Sequence, residues 1–160
     1  RATLEDFNLH LTAIFPECRL KDHLEIRGMD AQTPPFIMAV FAFWKGILES
    51  AKTLRAALDV VKHLTYVEIQ ELYRDLPHEG LSKKVDARSA GEISKQLFEI
   101  ALFGLSSTKN VENQKIDPTF LEPFYEKFVK RFKTPADEIL AEWHKVPNDR
   151  WPTALEPFLL

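Results

Sequence analysis

At Thr3, Thr65, Ser89 and Thr134 a hydroxyl residue is followed three positions later by Asp or Glu, each time at the head of a segment whose apolar residues recur every three or four positions. A hydroxyl there accepts a backbone N–H of the first helical turn. At Thr65 the partner Glu68 completes a capping box by reaching back to the N–H of the capping residue, and the acidic residues after Thr3 suit the positive end of the helix dipole. Helices that begin this way and repeat apolar residues at helical spacing leave little room for a large sheet. The sequence predicts a mainly α fold: a helical bundle packed on one or two strands.

Taken in order, Leu4, Phe7, Leu11 and Ile14 make a helical stripe after Thr3, and Phe15-Pro16 ends it. His10 lies beside that stripe, either as a structural histidine or as a ligand. Residues 19–29 then alternate, with Leu24, Ile26 and Gly28 facing one way and His23, Glu25 and Arg27 the other, the pattern of a strand. Two prolines in the 30–35 stretch make a turn, and residues 36–49 form a helix apolar on all sides, which implies a central, buried position.

Leu54, Leu58, Val61 and Leu64 form the next inward stripe. Thr65 caps a short helix through Ile69, Leu72 and Leu76 that Pro77 and Gly80 close, and Ser89 caps a longer one carrying Ile93, Leu97, Ile100, Ala101 and Leu105. Residues 106–115 read as a polar loop. Phe120, Phe124, Phe128 and Phe132 recur at four-residue spacing in a helix beginning at Asp117-Pro118. The last helix, capped at Thr134, turns Ile139, Leu140 and Trp143 inward, and the 147–160 tail with Trp151, Pro152 and Pro157 reads as extended. The expected organisation is one domain over 1–160: a site-bearing strand at 18–30, a helical bundle at 36–146 and the tail.

A length of 160 residues suits one core, and 45% hydrophobic with 28% charged residues is ordinary for a globular chain. The net charge of −3 and pI near 6.0 give no general attraction to nucleic acid or anionic membrane, and neither partner is expected. The single cysteine, Cys18, fits a reducing compartment such as the cytoplasm. No secretory signal pattern opens the sequence, and the start at Arg1 reads as a piece of a longer chain.

The search for chemistry removes most classes. The five glycines form neither G-x-x-x-x-G-K nor G-x-G-x-x-G, and no H-E-x-x-H or paired-cysteine zinc spacing occurs. Ser106-Ser107-Thr108 has no activating partner in sequence, and His23, His63, His78 and His144 stand far apart. Cys18 lacks a neighbouring histidine, although Arg19 and Lys21 would favour its thiolate. Glu25 and Arg27 remain. Two positions along one strand face puts them about 6–7 Å apart, a distance suited either to an ordinary ion pair or to a site holding a metal and an anion together. Mg²⁺ takes one or two carboxylates plus phosphate oxygens, and a guanidinium matches a phosphoryl group.

The residues around that pair carry a resemblance. His10-Leu11-Thr12-Ala13-Ile14-Phe15-Pro16-Glu17-Cys18-Arg19-Leu20-Lys21, followed by Leu24-Glu25-Ile26-Arg27-Gly28-Met29-Asp30, is similar to the H-L-[ST]-T-[IL]-F-P-E-V-R-L-K-x-[YF]-L-E-[MV]-R-G-A-D signature of plant-type glutamate–cysteine ligases, a group also widespread in bacteria. Ala42-Phe43-Trp44-Lys45-Gly46-Ile47-Leu48 resembles that family's A-F-W-x-G-L-L. Leu76-Pro77-His78-Glu79-Gly80-Leu81 resembles its V-P-x-x-G-L, and Thr134-Pro135-Ala136-Asp137-Glu138-Ile139-Leu140 its T-P-A-E-x-L-L. The match covers nearly the whole chain, dense over 10–48 and sparser beyond, and corresponds to the family's C-terminal portion.

This resemblance implies ligation of the γ-carboxylate of glutamate to the amino group of cysteine, the first step of glutathione synthesis, with ATP as co-substrate, Mg²⁺ as cofactor and γ-glutamyl phosphate as intermediate. It also implies that Glu25 is a magnesium ligand and that Arg27 contacts the transferring phosphate. Asp30 matches a family aspartate with an expected turn-closing role, and Arg19 matches as either a substrate contact or a structural salt bridge. Three departures stand out. Ala31-Gln32-Thr33-Pro34-Pro35 replaces the family's Gly-Gly-Pro-Trp-Arg continuation, Cys18 stands where valine is usual, and the tail lacks the glycine-rich ending. The fragment alone is expected to be inactive, with the remaining ATP, glutamate and metal ligands supplied by the rest of its own chain. A ligase using another amine acceptor and a non-catalytic helical interaction or regulatory domain are the alternatives.

Overall fold

In the computed structural model the hydroxyl–carboxylate quartets close on themselves. The Asp6 N–H donates to Thr3 Oγ1 at 3.1 Å and the Thr3 N–H to Asp6 Oδ2 at 2.8 Å. The same reciprocal pair joins Thr65 to Glu68, Ser89 to Glu92 and Thr134 to Asp137. Each cap satisfies donors that the helix itself leaves over. The helices they open are α1 (Leu4–Thr12), α4 (Tyr66–Glu79), α5 (Ala90–Ser107) and α7 (Pro135–Trp143). Between them lie α2 (Ile37–Leu48), α3 (Ala51–Val61) and α6 (Glu122–Lys127). The fold is mainly α with a small β component, as the sequence predicts.

The structure describes residues 2–13, 17–20, 22–107, 118–143 and 145. The expected end of the first helix at 14–16, Lys21, the 108–115 part of the polar loop, Asp117, His144 and the 147–160 tail lie outside the described residues.

The chain divides into two compact units, 1–31 and 32–160. The first holds α1 and an antiparallel hairpin of β1 (Cys18–Leu20) and β2 (Leu24–Ile26). The hairpin corrects the expectation of one strand over 19–29. Asp22, a residue favoured in turns, and His23 interrupt the run, and their side chains meet at 2.8 Å, Asp22 Oδ1 to His23 Nδ1. Helix α1 forms with the expected apolar positions, yet none of its residues is buried, and His10 is exposed. A unit of about thirty residues has too little interior to cover such a stripe.

The second unit is built on the α2–α5 crossing. A Cβ on Gly46 would lie 2.2 Å from the Ala101 carbonyl oxygen, and one on Gly104 would lie 1.9 Å from that of Gly46. Backbone meets backbone, and only glycine permits it at both points. Around the crossing Ala39, Ile47, Ala57, Ala101, Leu105 and Leu121 form the core. An aromatic chain extends it: Phe43 to Phe98 at 4.7 Å, Phe98 to Phe124 at 5.8 Å and Phe124 to Phe128 at 5.0 Å.

Several stripes are placed differently from expectation. Helix α2 is not buried all round: Ala39, Gly46 and Ile47 face inward, while Ile37, Met38, Phe41 and Leu48 are exposed. In α3 the small Thr53 and Ala57 are buried and Leu54 and Leu58 face solvent. Thr53 Oγ1 donates to the Ile47 carbonyl at 2.9 Å, so this buried hydroxyl is satisfied. Leu140 and Trp143 of α7 are also exposed.

Helix α4 runs through Pro77 to Glu79 and ends at Gly80, whose φ of 58° suits glycine. Ser106 and Ser107, expected in the loop, belong to α5. A second hairpin, β3 (Lys84–Val85) with β4 (Arg88–Ser89), turns at Asp86 with φ 56°, a conformation Asp tolerates. The phenylalanine row does not ride one helix. It is divided among a 3₁₀ turn (Pro118–Phe120), α6, and a second 3₁₀ turn (Val129–Arg131) closed by Phe132 at φ 55°.

Candidate functional site

The β1–β2 register sets Cys18 opposite Ile26, Arg19 opposite Glu25, and Leu20 opposite Leu24. One further rung follows, because the Arg27 N–H donates to the Glu17 carbonyl at 2.8 Å. The backbone of Arg27 is therefore fixed by the ladder although it lies beyond β2. Side chains two positions apart share a face of a strand, and the expected pairing of Glu25 with Arg27 is present: Arg27 Nη1 lies 3.8 Å from Glu25 Oε1.

Arg19, left open between two roles by the sequence, is Glu25's cross-strand partner. Its Nε and Nη2 donate to Glu25 Oε2 at 2.9 and 2.7 Å. The side chains of Arg19, Arg27 and Glu25 are 17%, 27% and 33% exposed, so the cluster is partly withdrawn from water. Two guanidinium groups flank one carboxylate, leaving the trio with a formal charge of +1, which suits an anion. The sequence pattern could not show this pairing, because alternation along one strand says nothing of what lies across a turn. The available signal was Asp22, a turn former midway between two short β-prone segments.

Other candidates do not converge on this cluster. Asp30 is exposed and outside the strands, and Cys18, His23, His63 and His78 are exposed. Among the described residues no group of three His, Cys, Asp or Glu side chains is placed to hold a metal ion. Glu25 can therefore offer one carboxylate to a shared cation site. That donor set fits Mg²⁺, which binds through one or two protein carboxylates and completes its shell with phosphate oxygens and water.

In the second unit, a hollow of about 580 Å³ is lined by Met38, Phe41, Trp44 and Phe120, with Lys45 and Glu49 paired to each other at its side. This apolar lining offers little to phosphate. No helix among the described residues is long and apolar enough to cross a membrane.

The profile of glutamate-cysteine ligase family 2 matches residues 1–151, which takes in both the hairpin and the helical unit. The chain belongs to this family. Chloroplastic glutamate–cysteine ligase of Nicotiana tabacum is 32% identical over 155 residues, covering 97% of this chain and 28% of that protein. The Medicago truncatula enzyme of the same name is 33% identical over 142 residues, 89% of this chain and 27% of its own length. That of Arabidopsis thaliana is 29% identical over 152 residues, 95% and 27% respectively. The chain thus spans less than a third of the length of these family members.

Proposed function

We propose that this chain is part of an ATP- and Mg²⁺-dependent glutamate–cysteine ligase and that its hairpin contributes Glu25 and Arg27 to the phosphoryl-transfer site. The observation that carries the reading is the placement of these two side chains 3.8 Å apart on one face of a hairpin inside the family-matched segment. In the reaction the γ-carboxylate of glutamate attacks the terminal phosphorus of ATP and ADP leaves. The cysteine amine then attacks the acyl carbon, forming the amide as inorganic phosphate departs and the amine loses a proton.

Glu25 would hold Mg²⁺, which when bound neutralises phosphate charge. Arg27 would contact the oxygens of the transferring phosphoryl group, where its planar fork stabilises the developing charge. The ladder bond to Glu17 restrains the Arg27 backbone, so less order must be imposed during reaction. Cysteine as the acceptor and a reducing, cytoplasmic setting complete the reading. The family relationship supports the first and the single Cys18 the second.

The test uses the full-length enzyme. Glu25→Ala and Arg27→Ala should each lower the rate of γ-glutamylcysteine formation by at least ~10²-fold, the usual cost of one preorganised charge contact. Near-normal turnover in either variant removes that residue from the site. A panel of amine acceptors assayed beside cysteine tests the acceptor.

A further inference from the structure

We draw no further inference here: the strongest candidate, the apolar hollow on α2 lined by Met38, Phe41, Trp44 and Phe120, is an unpartnered face of the second unit, and nothing in the structure shows what covers it.

Discussion

Asp75 shows how charge is used for stability away from the site. Arg74 Nε donates to its Oδ1 at 2.6 Å and Nη2 to its Oδ2 at 3.0 Å, and Lys83 Nζ reaches Oδ2 at 2.5 Å. The hydrogen bonds from Arg74 and then Lys83 hold the Asp75 carboxyl well below the usual carboxylate range. Because the folded value is depressed, the stabilisation is present above the unfolded value, about 4, and is lost as pH falls towards the folded value. Asp75→Asn should lower the Tm at pH 7, and its gap from wild type should narrow below about pH 4. Thermal scans from pH 7 to pH 3 test this, and a gap that stays constant with pH refutes it.

A single residue's sequence context reveals its neighbours along the strand but not those across it. The Glu25–Arg27 spacing was readable because i and i+2 share a face in any strand. The Arg19–Glu25 contact was not, because it depends on where Asp22 and His23 turn the chain.

Among the elements, the capped helices were the most legible, since an N-cap hydroxyl and its acidic partner act within one turn. Burial was less so. Thr53 and Ala57 of α3 took the inward positions because small side chains allow close approach, which left Leu54 and Leu58 outside. The phenylalanine row misled for a geometric reason: residues four apart drift about 40° around a helix at each step. Phe120 through Phe132 cannot all share one face of a straight helix, and the chain breaks into shorter turns. The β3–β4 hairpin has two-residue strands, too short for any periodicity to register.

The α2–α5 crossing can be tested at Gly104, where helix propensity and packing pull in opposite directions. Gly104→Ala should destabilise the protein by roughly 1–3 kcal/mol, the usual cost of overpacking, although alanine is intrinsically the better helix former by about 1 kcal/mol. The carbonyl of Gly46 that the new methyl would meet belongs to the backbone and cannot rotate away as a side chain would. Chemical denaturation measures the change, and a midpoint equal to wild type contradicts the packing argument.

For the molecule as a whole, the chain covers 28% of the length of its tobacco relative, and among the described residues no group of three His, Cys, Asp or Glu side chains is placed to hold a metal ion. On the proposed reading, the 160-residue chain supplied with ATP, Mg²⁺, glutamate and cysteine should produce no γ-glutamylcysteine. Product above the no-protein control, measured by thiol derivatisation and chromatography, would falsify that expectation. Exposed Met38 and Phe41 on α2 and Leu54 and Leu58 on α3 leave much apolar surface on the second unit.

The Gly46–Gly104 contact also limits how that unit can deform. Packed helices slide past one another when their side chains act as bearings, changing rotamer as the axes shift. Here the bearing layer is missing at the point of closest approach, and the carbonyl of one helix rests against the backbone of the other. Shear is blocked without first prising the axes apart, so α2 and α5 move together as a single stiff strut.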